Sequence, residues 1–365
     1  MSERLAQLDV RRSLPKLVVG VLVAAALLYI VVLAKPSPDI GGNWRTTTFG
    51  SAIDDFDSFL RTLLNGLTFA GLLFIVASGF SLIFGLMRVV NMAYGSFYLV
   101  GGYVAYEVQQ KMTGAGFTIP GIEVSTWEWV FPAIVAAAVV GLIGLFVQQV
   151  FLSWNQGQEL RQALITIAIS VIIADQIIAH FNEGLASTVT WPGWSNRLIH
   201  LPLLGIDYSL ARLAILFLGV AVGLALWIWL YQTRTGMVIR AGVDDLQMTS
   251  ALGVNIRRTL AIAFVVGSAL AAFGGVVGAS QGAIAPGQDG QWLLNSLVVV
   301  IIGGMGSLLG AAVGSLLYGL TFSFSAVYLP TIGDNCCTQY SIVFTFILLA
   351  LVLAFRPQGL FGKFS

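Results

Sequence analysis

The sequence predicts an all-α, polytopic integral membrane protein with about nine transmembrane helices plus one glycine-broken segment. Three observations predict it. Of the 365 residues, 57% are hydrophobic and 10% charged, whereas water-soluble domains carry about a quarter charged residues. The apolar residues gather in runs near the ~20 residues a helix needs to cross a bilayer, where only helices and closed barrels satisfy every backbone group. Basic residues, finally, crowd into alternate connections between those runs.

Residues 1–16 are polar and basic, with Arg4, Arg11, Arg12 and Lys16, and residues 17–34 form a first apolar run. That pair also describes a secretory signal peptide, but the run is long for one and many spans follow. It is therefore read as an uncleaved first helix. The loop at 35–58 is acidic, with Pro36, Pro38, Asp39, Asp54, Asp55 and Asp57. Residues 1–59 thus form an N-terminal tail, helix and loop, and residues 60–365 the main transmembrane domain. Within it, spans are expected at 60–86, 92–110, 129–151, 162–181, 209–231 and 259–280. An interrupted segment follows at 292–303 and 307–327, broken at Gly303-Gly304-Met305-Gly306-Ser307, and a last span at 340–355.

Charge sets the orientation. With both termini in the cytoplasm and the interrupted segment entering and leaving on the outer side, the cytoplasmic segments hold Arg4, Arg11, Arg12, Lys16, Arg88, Arg161, Arg234, Arg240, Arg257, Arg258, Arg356 and Lys363. The outer side keeps Lys35, Arg45, Arg61, Lys111, Arg197 and Arg212, so twelve of eighteen basic residues lie inside. The positive-inside rule asks for this bias. Trp127, Trp129, Trp191, Trp194 and Trp292 then fall at the outer boundary, where amphipathic rings settle.

The connection at about 232–258 is too polar for hydrocarbon and too helix-like for a slack loop. Asp244 and Asp245 stand where a short helix would begin, favoured by its unpaired N–H groups and dipole. Leu246, Ser250, Ala251 and Gly253 leave a narrow small-residue surface, and Gly253 is placed to end the helix. A capped cytoplasmic helix between two spans is a docking element for another protein. Its expected coupling residues are Asp244, Asp245, Ala251, Gly253, Val254 and Asn255.

Catalytic chemistry has no foothold. The chain lacks the GxxxxGK[ST] phosphate loop, a strand-borne dinucleotide fingerprint and HExxH, so any ATP use falls to another polypeptide. No cofactor or metal is expected: Cys336 and Cys337 are adjacent, and His180 and His200 lie far from them. The two cysteines read as small loop residues or as a vicinal disulfide. The net charge of +1 gives no reason to expect nucleic acid. Asp175, near Gln176 and His180, is the candidate intramembrane carboxylate, though it and Glu107 lie toward outer helix ends. An ion-coupled carrier would place such groups at mid-membrane.

Glycines recur every fourth residue at Gly274, Gly278 and Gly282, and at Gly306, Gly310 and Gly314, which suits close helix approach. The cluster at Gly303–Gly306 instead breaks a helix at membrane depth, tolerated where protein buries it or a cavity hydrates it.

Several of these runs resemble a known family. Asn65-Gly66-Leu67-Thr68, Gly79-Phe80-Ser81-Leu82-Ile83-Phe84-Gly85-Leu86 and Val90-Asn91-Met92-Ala93-Tyr94-Gly95-Ser96-Phe97 are similar to the LivH-type permeases of branched-chain amino acid ABC importers. So are Arg240–Asn255, Gly303-Gly304-Met305-Gly306-Ser307 with Gly310, and the ending Arg356-Pro357-Gln358-Gly359-Leu360-Phe361-Gly362. The resemblance spans about 60–362. It implies an ABC importer permease fold in a bacterial inner membrane, without an ATPase site of its own. It further implies a second homologous permease, two cytoplasmic ABC ATPase subunits and a periplasmic substrate-binding protein as partners, beside the lipid bilayer. The coupling residues above would dock on the ATPase. Asn65, Asn91, Tyr94, Ser96, Gly304 and Ser307 would line the substrate path. The run Tyr94-Gly95-Ser96 departs from the His or Gln, Gly, acidic or small pattern of many members. Urea, short amides and small organic acids therefore stay beside amino acids as cargo.

Overall fold

One long helix organises the chain. In the computed structural model, which describes residues 37–38, 44–45, 56–113, 124–155, 157–181, 187–201, 206–328 and 338–362, α1 runs Phe56–Met87, 32 residues, or about 48 Å. Around it pack α5 (Leu210–Gln232), α8 (Ile256–Gln281), α9 (Asp289–Gly303) and α10 (Leu308–Tyr328), and α2 (Tyr94–Thr113) packs in turn on α8 and α9. Outside these lie α3 (Thr126–Val147), extended by a π turn and a 3₁₀ turn to Asn155, then α4 (Glu159–Phe181) and α11 (Thr338–Phe355). Two short helices, α6 (Arg234–Asp244) and α7 (Leu246–Ala251), join α5 to α8. The few strands are short antiparallel pairs: β1 (Ser37–Pro38) with β2 (Trp44–Arg45), and β3 (Leu198–Leu201) with β4 (Ile206–Ser209). The predicted first helix at 17–34 and the Cys336–Cys337 pair lie outside the described residues.

Six of the eleven described helices are long and apolar enough to cross a membrane: α1, α3 with its extension, α4, α5, α8 and α10. The predicted span at 92–110 appears as α2 but is not among them. Its sequence carries Ser96, Glu107, Gln109, Gln110 and four tyrosines. It can do so because it packs against α3, α4, α8 and α9 and reaches α1 through Tyr94, with Tyr94, Phe97, Tyr98 and Tyr103 essentially without exposure. A helix screened by protein does not need a lipid-compatible surface.

Lipid tails are as apolar as leucine, so helices in a bilayer associate through close packing of small residues. At Gly275 an added Cβ would lie 1.9 Å from the Tyr98 carbonyl oxygen, and at Gly101 it would lie 2.3 Å from Ala272 Cα. Gly79 meets the Gly267 carbonyl in the same way at 2.6 Å. The two predicted glycine stripes need correction here. Gly274 and Gly278 do meet Val76 and Tyr98, but Gly282 caps the end of α8 with nothing around it. Gly306 lies in the turn before α10, at φ +79°, not on its face. Gly267 and Gly275, which the every-fourth-residue pattern passes over, make approaches just as close on α8.

At one end of the bundle the helices are tied by polar clamps. A capping box joins Ser125 and Glu128 at the start of α3, worth about 1 kcal/mol. Gln109 donates to the carbonyls of Glu128 and Thr190 and accepts from Thr190 N–H. Trp129 stacks on Trp191 at 5.0 Å, and Trp194 donates to Thr126. Trp292, predicted at the same boundary, stacks on the buried Tyr98 at 4.2 Å. Asp175 is exposed, and His180 faces Glu107 at 3.1 Å rather than Asp175.

Candidate coupling surface and passage

The connection between α5 and α8 is two helices, not one. Thr233 ends α5, and its hydroxyl accepts from Gly236 N–H to open α6. Asp244 closes α6, so it does not stand at a helix start as expected. Asp245 leaves the helical region at φ −150°, and its Oδ1 accepts from Met248 N–H at 2.9 Å to cap α7. One carboxylate caps while its neighbour belongs to the previous turn. Gly253 ends the pair at φ +83°, its N–H donating to the Ser250 carbonyl. Asn255 then caps α8 through Arg258 N–H at 3.2 Å.

This unit is anchored on one side and open on the other. Ile239 is buried with Leu82, Leu86, Leu230, Leu260 and Ala263. Arg240 stacks on the Tyr231 ring at 4.3 Å, a cation–π contact of about 0.5–1 kcal/mol at an exposed site. Val243 reaches Gly306 and Gly85. On the open side Asp244, Asp245, Ala251, Gly253 and Asn255 are exposed and Val254 is half-buried. With them stand two large apolar side chains, Met248 at 61% and Leu252 at 78% exposed.

The glycine break follows from the same geometry. Gly304 ends α9 at φ +102°, and a helix end leaves carbonyls without helical partners. The C-terminal segment supplies them: Leu360 and Phe361 N–H donate to the Ile302 and Gly303 carbonyls, both at 2.9 Å. Ser307 accepts from Gly310 N–H at 3.0 Å and opens α10. The break thus lies beside the end of α1 and α6, with Gly306 against Gly85 and Val243.

The six predicted path residues do not form one cluster. Asn65 Oδ1 accepts from Tyr208 (3.1 Å) and Arg212, in a group with Thr68. Burial pushes the Tyr208 phenol above its ordinary pKa, against the Thr68 hydrogen bond and the Arg212 charge, which lower it. Gly304 and Ser307 sit at the break. Asn91, Tyr94 and Ser96 are together at the start of α2. There Tyr94 donates to the Val76 carbonyl at 2.6 Å and packs edge-on to Phe80. Ser96 Oγ lies 2.8 Å from Ser170 Oγ on α4 and 3.4 Å from Asp289 Oδ2 on α9. Asp289 and Ser170 were not among the sequence candidates. The available signal was an acidic residue immediately before an apolar run, a favoured helix start.

Residues 62–353 match the family model of the branched-chain amino acid transport system permease component. The chain belongs to that permease family. Its relatives include the high-affinity branched-chain amino acid transport system permease protein LivH of Escherichia coli (strain K12), 30% identical over 315 residues, 85% of this chain and 97% of LivH. BraD, the corresponding permease protein of Pseudomonas aeruginosa, is 28% identical over 310 residues, 84% of this chain and 96% of BraD. Among solved structures, PsaBC from Streptococcus pneumoniae in complex with Fab aligns at TM-score 0.46 and 12% identity, covering 84% of this permease and 95% of that chain. The permease is thus a multi-pass membrane protein of a transport family.

Proposed function

We propose that this permease is a membrane-spanning subunit of an ATP-driven importer for branched-chain amino acids, and that the open face of α6–α7 docks on a cytoplasmic ABC ATPase. A second homologous permease completes the membrane part, two ATPase subunits supply hydrolysis, and a periplasmic binding protein delivers substrate. The observation that carries this reading is the exposure of Met248 and Leu252 beside Ala251 and Gly253 on a capped helix beyond the apolar spans. Large apolar side chains outside hydrocarbon mark a protein interface when grouped. The bias of twelve of eighteen basic residues supports a cytoplasmic position for this face. Movement of the docked helices reaches the bundle through Val243, which abuts the Gly306 turn. Such rigid-body shifts are a known route between outward- and inward-open states. Asp244, Asp245, Ala251, Gly253, Val254 and Asn255 form the coupling surface, and Asn65, Asn91, Tyr94, Ser96, Gly304 and Ser307 contribute to the passage.

The test removes the apolar knob. Burying a leucine contributes about 1.5–3 kcal/mol, so Leu252→Ala should weaken ATPase binding by about 30-fold, read by titrating ATPase onto the permease pair in nanodiscs. Gly253→Trp should uncouple hydrolysis from leucine uptake. Wild-type affinity and coupling in both variants would show that the ATPase docks elsewhere.

A further inference from the structure

Asp289 lies about midway along the helix bundle, level with Val76 of α1 and Gly267 of α8. Tyr94 donates to the Val76 carbonyl, and Val76 precedes the end of α1 by 87 − 76 = 11 residues, about 16 Å of helix. Half of a ~30 Å hydrocarbon core is close to that distance. Gly95, the next residue, has its backbone against that of Asp289: a Cβ there would lie 2.0 Å from the Asp289 carbonyl oxygen. An ionisable group at this depth is costly and marks a pathway unless it is paired. No lysine or arginine pairs with Asp289 among the described residues.

What surrounds it is a pair of hydroxyls, of which Ser96 Oγ donates to the carboxylate. Ser96 from α2 and Ser170 from α4 join the Asp289 carboxylate, at 3.4 Å and 2.8 Å along the chain of contacts. A second observation stands alongside. Asn91 is 4% exposed, its Oδ1 accepts from Ala93 N–H, and its Nδ2 has no hydrogen-bond partner. The same turn is fixed to α4 by Met92 N–H donating to Thr166, one helical turn before Ser170. A buried, unpartnered amide donor at Asn91 and the Ser96–Ser170–Asp289 group thus flank the first turn of α2, where helix N–H groups also favour anions.

We propose that Asp289, Ser96 and Ser170 form a station in the passage for the primary ammonium group of a zwitterionic substrate, with Asn91 Nδ2 as the donor to its carboxylate. An ammonium has three donors and no acceptor, and the carboxylate and two hydroxyls meet that need. This rests on the amino-acid import reading above. The test uses the complete transporter in proteoliposomes, with ATPases, binding protein and radiolabelled leucine. Asp289→Asn should lower leucine uptake at least tenfold, with complex assembly and thermal unfolding unchanged. Asp289→Glu, which keeps the charge, should recover a large part of it. Uptake at the wild-type rate in Asp289→Asn overturns the station. So does equal loss in both variants accompanied by a lower unfolding temperature, which is the mark of a structural role. If the wild-type complex assembles but moves no leucine, the import reading fails first.

Discussion

Gly275→Ala tests the packing that holds α2 against α8. The new methyl carbon would sit 1.9 Å from the Tyr98 carbonyl oxygen, 2.9 Å from the carbonyl carbon and 3.1 Å from Gly102 N. All three are backbone atoms, so no rotamer change relieves them. The helices must part by more than ~1 Å, a gap that forfeits a quarter to a half of each dispersion contact. The seam has other contacts to lose, including Gly101 on Ala272 and Gly102 on Ala279. Overpacking costs about 1–3 kcal/mol, occasionally more, and an unrelievable backbone clash belongs at the upper end. Alanine's better helix propensity offsets about 1 kcal/mol. The net loss is about 2 kcal/mol, roughly a 30-fold fall in the folded-to-unfolded ratio. The control is Gly282→Ala, where nothing lies within 4 Å and φ is −154°; it should change stability by less than about 0.5 kcal/mol. Both can be read by tryptophan fluorescence as the purified permease is titrated from mild detergent into sodium dodecyl sulfate. A Gly275→Ala midpoint at or above that of Gly282→Ala would refute the claim that this seam needs a bare backbone.

Two further substitutions probe the ends of the bundle. Gly359 holds φ +81°, and a Cβ there would lie 2.5 Å from Gly304 N; Gly359→Ala should cost about 1–2 kcal/mol for the backbone conformation alone. It should also release the C-terminal segment from α9, seen as faster amide exchange at Leu360 and Phe361, and unchanged exchange would mean that the tail does not cap the helix. Tyr208→Phe removes the hydroxyl that meets Asn65 at 3.1 Å and Thr68 at 3.0 Å. It should destabilise by about 1 kcal/mol in the same titration, and an unchanged midpoint would mean that Arg212 alone holds Asn65.

What could be read from sequence was local. Apolar run length placed the spans, since a helix in lipid needs little more than length and composition to declare itself. Gly253 could be read as a helix end because positive φ favours glycine wherever the neighbours are. Asp244 and Asp245 could not be told apart, because only one of two adjacent carboxylates can turn back onto the next helix. The choice depends on where α6 runs out, with its Ile239 and Val243 packed against Leu82 and Leu86. Asp289 was missed for a non-local reason. Residues 282–288 turn back into the bundle after α8, held where Ser187 and Ile284 exchange backbone hydrogen bonds. Nothing within the segment reports that return. The same is true of the glycine break, whose carbonyl partners lie more than fifty residues away at Leu360 and Phe361.

These contacts give α9 a specific mechanical character. A helix 15 residues long spans about 22 Å, and its hydrogen bonds make it stiff along its axis. Its C-terminal end is gripped by the 359–361 backbone and leads into the Gly306 turn, which Val243 of the coupling helices abuts. Its N-terminal end carries Asp289, in contact with Ser96. A shift of α6 therefore has two places to go. It can be absorbed by bending the turn at Gly304 and Gly306, both at positive φ, or it can displace α9 as a unit. The C-terminal strap opposes the first, because bending the turn away would break two 2.9 Å hydrogen bonds to the Ile302 and Gly303 carbonyls. Displacement of the whole rod is the cheaper response, and it changes the separation of Asp289 from Ser96 and Ser170. The glycine turn is then a fixed joint between the proposed docking face and the Asp289 carboxylate. Loosening it with Gly359→Ala should reduce the uptake gained per ATP hydrolysed more than it reduces hydrolysis itself.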